Sequence, residues 1–396
     1  MAALKTIDQV DLAGKRVFIR VDFNVPLEGG RVADDSRIRA ALPTIQYACE
    51  RGARVILGSH LGRPKGVTPE FSLAPVAEAL GALLGKKVQF AKDCIGADVE
   101  EQAAALKPGE VLLLENLRFH KEEEKNDPAF TAALARLCDV YVNDAFGTAH
   151  RAHASTAGMV DYVDTAVAGF LLKRELDALG SLLISPARPF VVVVGGAKVS
   201  DKIGVLENLL PRVDAILIGG AMAYTFLVAQ GHKVGASRVE QDKLDVARKL
   251  LEGAAAKNVA IELPIDHVCA AEFKDGANPV TVNSVDIPDG VMGLDVGPKT
   301  RERYGARIKS AKTIFWNGPM GVFEWERFAA GTMAIANAVA DSSAHSVVGG
   351  GDSVAALEKS GRAGDVTHVS TGGGASLELL EGQQLPGVVA LERKAR

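Results

Sequence analysis

Short, nearly uninterrupted runs of Val, Ile, Leu and Phe recur along the whole chain, each followed by a longer segment with helical periodicity. A strand with one wet face alternates apolar and polar residues. A continuous apolar run belongs to a strand covered on both faces, as in a parallel sheet flanked by helices. In the first half these runs predict strands at Arg16–Phe23, Arg54–Ser59, Val111–Leu114 and Val140–Asn143, with helices over Ser36–Glu50 and Leu73–Leu84. Asp34–Asp35–Ser36 supplies a helix start and Gly52 a stop. The second half repeats the plan, with strands at Phe190–Val194, Ala215–Ile218, Val259–Leu263, Thr313–Trp316, Ser346–Val348 and Thr367–Ser370. At 396 residues the chain exceeds the roughly 250–300 that one hydrophobic core supports, so the two halves read as two α/β domains. Ala166–Leu183 reads as a helix that bridges them, followed by the Pro-containing stretch Ser185–Pro189.

The bulk numbers exclude several classes. Hydrophobic residues at 47% and charged residues at 24% are ordinary for a globular protein and argue against disorder. A net charge of −4 argues against a nucleic-acid binder, which carries a broad basic surface, although a local positive site is compatible with it. Cys49, Cys94, Cys138 and Cys269 are far apart, which reads as reduced thiols in a cytoplasmic protein. The N-terminus offers no apolar signal-peptide core, and no run approaches the ~18 residues of a membrane span. The charge run Lys121–Lys125 reads as a solvated loop or helix start.

Ligands of open α/β sheets sit beyond the carboxyl ends of the strands, so the two halves can be compared there. In the first half those ends carry charge and hydrogen-bonding groups. The first strand gives Arg20, Asp22 and Asn24, and Arg37 begins the next helix. The second strand ends in Ser59–His60–Leu61–Gly62–Arg63 and the third in Glu115–Asn116–Leu117–Arg118. The fourth ends in Asn143–Asp144 and leads to His150, Arg151 and His153. Any one arginine here reads best as a surface ion pair. A series at successive strand ends reads as a grip for a small polyanion, because the guanidinium fork matches carboxylate and phosphate. In the second half the strand ends carry glycine instead: Gly195–Gly196, Gly219–Gly220, Gly318 with Gly321, Gly349–Gly350–Gly351 and Gly372–Gly373–Gly374. Glycine permits tight turns, and it also lets the main chain approach a phosphate closely. So many clusters point to a nucleotide site.

Absent motifs narrow the choice. There is no GxxxxGK[ST] loop, and Val191–Asp201 lacks the GxGxxG spacing that a nicotinamide-dependent dehydrogenase would show. His150 and His153 have no third partner at a metal-ligand spacing. Asp352, after the triple glycine, is either an N-cap or a hard oxygen ligand for Mg²⁺ on a nucleotide.

Longer motifs carry a family resemblance: RVDFNVP (Arg20–Pro26), SHLGRPKG (Ser59–Gly66), LENLRFH (Leu114–His120), NDAFGTAHRAHAS (Asn143–Ser155), GGAKVSDK (Gly195–Lys202), LDVGPKT (Leu294–Thr300), WNGPMGVFE (Trp316–Glu324), GGGDS (Gly349–Ser353) and STGGGASLELLEG (Ser370–Gly382). In this order, and over essentially the whole length, the chain resembles the phosphoglycerate kinase family in its bacterial form. The resemblance implies an α/β fold of two Rossmann-like lobes, each with a mainly parallel sheet flanked by helices, facing a central cleft. It places an N-terminal lobe at 1–170, an inter-lobe helix and linker at 171–189 and a C-terminal lobe at 190–377, with about 378–396 folding back onto the N-terminal lobe. It implies a monomer whose lobes close by hinge-bending.

Carried onto this sequence, the resemblance implies 3-phosphoglycerate or 1,3-bisphosphoglycerate contacts at Arg20, Asp22, Phe23, Asn24, Arg37, His60, Leu61, Gly62, Arg63, Arg118 and Arg151. It implies ATP or ADP contacts at Gly195, Lys198, Lys202, Gly219, Gly220, Gly293, Asn317, Pro319, Glu324, Gly350, Gly351, Asp352 and Ser353, with Asp352 toward Mg²⁺. Gly293, Pro319 and Glu324 rest on the resemblance alone. The transferring phosphoryl group is assigned to Arg37 and Lys198, with the N–H groups of Gly372, Gly373 and Gly374 facing it. A carboxylate or phosphate oxygen attacks as an anion, so the reaction needs no general base at neutral pH.

Overall fold

The computed structural model describes residues 4–395, which form two compact units, 4–177 with 384–395, and 178–383. In the first unit the strands are β1 (Arg16–Arg20), a hairpin of β2 (Leu27–Glu28) and β3 (Arg31–Val32), then β4 (Arg54–Gly58), β5 (Val88–Phe90), β6 (Val111–Leu113), β7 (Val140–Asn143) and β8 (Thr165–Ala168). All but the hairpin join one parallel sheet in the order β5–β6–β4–β1–β7–β8. The uninterrupted apolar runs have a direct cause. Val17, Ile19, Val55 and Leu57 pack on one face with Ile38, Ile45, Val76 and Leu80 from the helices Ser36–Glu50 and Ala74–Leu84. Phe18, Ile56, Leu112 and Tyr141, one residue out of phase, are equally buried. Both faces are dry, so neither tolerates polar side chains.

Register fixes where the polar groups emerge. Arg20 lies level with Gly58 on one neighbour and Asn143 on the other. The segments 59–63 and 144–155 therefore leave the sheet at the same edge as 21–24. At its end the chain returns to this unit: the helix Pro386–Ala395 packs against β8, and Gly387 N donates to Ala149 O at 2.9 Å.

The second unit has β9 (Phe190–Val194), β10 (Ala215–Ile218), β11 (Ala260–Glu262), β12 (His267–Ala270), β13 (Val280–Val282), β14 (Met292–Val296), β15 (Thr313–Asn317), β16 (His345–Val348) and β17 (His368–Val369). Its main sheet is again parallel and six-stranded, in the order β11–β10–β9–β15–β16–β17. Trp316 and Tyr304 are fully buried in its core, and the Tyr304 hydroxyl is satisfied by Ile218 O at 2.7 Å and Glu262 O at 2.9 Å. The expected α/β class with two mainly parallel sheets is what the structure has. It adds a small antiparallel sheet, β13–β12–β14, whose short strands, interrupted by polar residues and glycine, left no continuous apolar run to read. The four cysteines are free thiols.

One expectation is overturned. Ala166–Leu183 is not a single helix: Thr165–Ala168 is the edge strand β8, and the helix runs Phe170–Ile184. Alanine favours helix, but pairing with β7 overrides that preference. Gly169 makes the break. Its N–H donates to Asn143 O at 2.8 Å, and the side chain of Asp144 turns to accept from Leu171 N at 2.9 Å and Leu172 N at 3.1 Å. Asp144 thus closes the exposed donors of this helix. A Cβ on Gly169 would sit 2.2 Å from Asp144 Oδ1. Gly169→Ala should lower the stability of the protein by about 1–3 kcal/mol, read as a shift of the urea midpoint. An unchanged midpoint would mean that the Asp144 cap is dispensable.

Candidate functional site

In the first unit the strand ends converge as a basic cluster. Arg20 is 1% exposed, an unusual place for a guanidinium. Its Nε donates to Ser155 Oγ at 2.7 Å, its Nη1 to Val21 O, and its Nη2 lies 3.3 Å from His60 Nδ1. Arg37, on the first turn of its helix, is half-buried and donates through Nη1 to Asp22 Oδ1 at 3.2 Å and to Asn24 O at 3.1 Å. Asn24 Oδ1 accepts from Gly62 N at 2.8 Å, and Gly62 O accepts from Arg118 Nη1 at 2.8 Å. Hydrogen bonds thus run from Arg37 through Asn24 and Gly62 to Arg118. Gly62 has φ +63, and a Cβ there would strike the Phe71 ring at 2.3 Å, so the turn accepts no other residue without rearrangement.

The charges bear on two histidines. Burial holds the His60 imidazole well below its ordinary pKa, and Arg20, Arg118, Arg37 and Arg151 each push it further down. Burial and then Arg118, Arg20 and Arg151 push His153 down to about 4. Burial also lowers the pKa of Arg118, whose Nε lies 3.3 Å from Glu124 Oε1 without the alignment of a hydrogen bond. Arg151 is half-buried, and Arg63 is exposed on the loop after β4. Phe23 and Leu61 have their side chains in the hydrophobic core, so only their main chain faces this edge.

The charge run Lys121–Lys125 starts a helix and is solvated at Lys121, Glu124 and Lys125, but one residue departs from that expectation. Lys121–Glu124 is a one-turn helix, and Glu123 within it is fully buried, bound to the N–H and hydroxyl of Ser155. Nothing in the run KEEEK signals that one of three successive glutamates points inward. Among the described residues a single grouping has metal-ligand proximity, and it is Asp93, Cys94 and His120 rather than the His150 pair. There His120 Nε2 is taken by Asp93 Oδ1 at 2.7 Å, and burial drives the Cys94 thiol well above its usual range. That favours a packing contact over a thiolate ligand.

The second unit builds a different surface. A cavity of about 470 Å³ opens beside the ends of β9, β10 and β15. Its walls are largely apolar, with Tyr224, Met292, Leu294, Pro319, Met320 and Val322 among them. Gly196, Gly220, Gly293, Glu324 and Asp352 also line it. Met292 and Leu294 come from the antiparallel sheet and Tyr224 from the helix Met222–Ala229, places that a reading of the parallel strand ends does not reach. Lys202 reaches the end of β15 and donates to Asn317 Oδ1, while Asn317 Nδ2 donates to Gly349 O at 2.8 Å. Burial lowers the Lys202 pKa, and Asp201, Asp352 and Glu381 counter it. Lys198 is exposed on the loop after Gly196.

The two readings of Asp352 now separate. Gly350 is the residue that caps the helix Gly351–Lys359, and no side chain makes a cap bond there. Asp352 is instead an exposed carboxylate in the first turn, lining the cavity within the field of Lys202. Ser353 is buried and accepts from Gly318 N at 2.5 Å, which fixes the turn rather than presenting a hydroxyl. Gly195 and Gly219 are required by close packing: a Cβ would lie 2.0 Å from the main-chain Pro319 O in one case and 2.4 Å from the side-chain Met320 Sδ in the other. Gly372 is buried, with its N–H on Ser370 Oγ at 3.2 Å, whereas Gly373 and Gly374 are more open.

The depressed histidines carry a pH consequence. His153 titrates near 4 when folded and near the ordinary value of about 6.5 when unfolded, so below about 6.5 the unfolded chain binds the extra proton. Stability from this group is therefore fully present above about 6.5 and is lost as pH falls toward about 4. Asp144, pushed up to about 7 by burial, works in the opposite sense, losing its contribution as pH rises toward about 7. In urea melts across this range, His153→Gln should lose less stability on acidification than the parent. Parallel curves would show that His153 is not buried in its neutral form.

Known proteins share this architecture and its motifs. Residues 7–383 match the family model described as phosphoglycerate kinase. The chain is 63% identical over 394 residues to the phosphoglycerate kinase of Anaeromyxobacter sp. (strain Fw109-5), covering 98% of this chain and 100% of that protein. It is 57% identical over 391 residues to the cytosolic phosphoglycerate kinase of Nicotiana tabacum, covering 98% of each. Among solved structures, phosphoglycerate kinase from Coxiella burnetii superposes with a TM-score of 0.91 at 46% identity, covering 100% of both chains. The enzyme from Pyrococcus horikoshii OT3 superposes at 0.86 with 35% identity, covering 99% of both.

Proposed function

This chain belongs to the phosphoglycerate kinase family of glycolytic phosphotransferases with a carboxyl acceptor, and we propose how its residues divide the reaction. The substrates are 1,3-bisphosphoglycerate with ADP in one direction and 3-phosphoglycerate with ATP in the other. The first unit takes the phosphoglycerate and the second takes the nucleotide. The observation that carries this reading is the convergence of Arg20, Arg37, Arg118 and Arg151 on the buried His60. That concentration of positive charge suits a ligand bearing phosphate and carboxylate, and Arg63 on the adjoining loop adds a further cation.

In the second unit the apolar cavity accepts the base and ribose, with Gly293, Pro319 and Glu324 on its wall. Lys202, held by Asn317, and the main chain at Gly350 and Gly351 receive the phosphates. Asp352 fits the Mg²⁺ that such nucleotides carry: it is a hard oxygen donor, exposed, uncommitted to capping and close in field to a lysine. When bound, the ion neutralises phosphate charge.

The attacking oxygen is a carboxylate or a phosphate and is already anionic, so the protein has to position and stabilise charge in a direct in-line transfer. The neutral His60, with its depressed pKa, is poorly suited to general-base work and agrees with that scheme. Arg37 and Lys198 attend the transferring group, joined by the N–H groups of Gly372–Gly374. The enzyme works as a monomer in the cytoplasm; its plant relative is described as cytosolic. Among the described residues no helix is long and apolar enough to cross a membrane.

Purified protein given 3-phosphoglycerate, ATP and Mg²⁺ should form ADP only when all three are present. No ADP from folded protein would overturn the reading. Arg37→Ala should lower kcat by about 10²–10³ while changing the KM for 3-phosphoglycerate little. A rise in KM alone would make Arg37 a ground-state contact.

A further inference from the structure

We propose that Glu123 is a positioning residue for Arg20: acting through the hydroxyl of Ser155, it fixes the orientation in which that guanidinium meets phosphoglycerate. The proposal rests on the assignment of Arg20 to the phosphoglycerate site. Glu123 stands in a helix of one turn whose neighbours Lys121 and Glu124 are exposed, yet it is fully buried. A carboxylate withdrawn from water needs compensating partners. Both its oxygens have one, and both partners belong to the same residue: Ser155 Oγ donates to Oε1 at 2.5 Å and Ser155 N donates to Oε2 at 3.0 Å. The main chain repeats the link, with Ala154 N donating to Glu123 O at 2.9 Å.

A hydroxyl has one proton and two lone pairs. With its proton committed to Glu123, Ser155 Oγ can only accept from Arg20, and it does so from Nε at 2.7 Å. The carboxylate thus dictates which way the hydroxyl faces, and the hydroxyl in turn fixes Nε. Once Nε is held, the planar guanidinium has its remaining orientation set by Val21 O and His60 Nδ1. Arg20 and Glu123 also attract one another, and that attraction lowers the Glu123 pKa against the larger effect of burial. Glutamine at 123 keeps the size but puts an NH2 donor where one carboxylate oxygen stood, so one of the two Ser155 donors then faces a donor.

The test is steady-state kinetics with 3-phosphoglycerate and MgATP on Glu123→Gln, Ser155→Ala and the double variant, each shown by thermal melt to be folded. Arg20→Lys is the reference for the assignment of Arg20, and Glu122→Gln makes the same charge change on the same helix. Glu123→Gln and Ser155→Ala should each raise the KM for 3-phosphoglycerate about tenfold and leave the KM for ATP within about two-fold. The double variant should be no worse than the worse single one, because both break one relay. Glu122→Gln should leave both constants within about two-fold.

An unchanged KM for 3-phosphoglycerate in Glu123→Gln, alongside a raised one in Arg20→Lys, would overturn the relay and leave the site assignment standing. An unchanged KM in Arg20→Lys would remove that assignment and the proposal with it. Fully additive single effects, or an equal effect of Glu122→Gln, would also overturn it. If Glu123→Gln fails to fold, Ser155→Ala decides by the same split between the two substrates.

Discussion

Arg20 ends the central strand of the first sheet with its guanidinium almost wholly withdrawn from water. The effective cost of burying such an ion is several kcal/mol unless its donors are met. The surrounding chain is arranged around meeting them: a carbonyl at Val21, a hydroxyl at Ser155, an imidazole nitrogen at His60 and a buried carboxylate at Glu123 behind the hydroxyl. These groups lie on separate segments beyond the strands, so the cation also ties those segments to one another. The same charge keeps the imidazoles of His60 and His153 neutral, after the larger effect of burial. The result is a rigid edge with more positive than negative charge, suited to holding a polyanion in one orientation.

The second unit starts from nearly the same sheet and arrives at different chemistry. Its strand ends pack closely, with Gly195 against the Pro319 carbonyl and Gly219 against the Met320 side chain. The cavity beside them is walled mostly by apolar groups, and its charged residues stand at separate points: Glu324 and Asp352 on the lining, Lys202 tethered to Asn317. An apolar slot with a few placed charges fits a nucleotide, whose base is flat and whose phosphates gather at one end. Two parallel sheets of six strands thus present different chemistry at their strand ends, the second with an added antiparallel sheet beside it.

Much of this was legible in the sequence because parallel strands with two dry faces leave continuous apolar runs, as at Phe190–Val194. The basic residues after those runs could be grouped before any fold was known, since the carboxyl ends of such strands share one edge. The rest failed for local reasons. Ala166–Ala168 has the composition of a helix, and only its place beside β7 makes it a strand. The strands of the antiparallel sheet are short and broken by polar residues and glycine, as at His267 and at Gly293 and Asp295, so the cavity walls it supplies left no continuous apolar run. Glu123 is one of three identical neighbours, and nothing in the local pattern says which faces inward. Glycine was a mixed signal: some of the clusters lie beside the cavity, yet several of those residues are required by packing.

The proposed function rests on a division of labour between the two units, and direct binding measures that division. Calorimetric titration of 3-phosphoglycerate and of MgADP, separately, into Arg118→Gln and Lys202→Gln should give a crossed pattern. Arg118→Gln should weaken phosphoglycerate at least tenfold and leave MgADP within about two-fold, and Lys202→Gln should do the reverse. If either substitution weakened both ligands alike, or the pattern came out the other way round, the assignment of one ligand to each unit would be wrong.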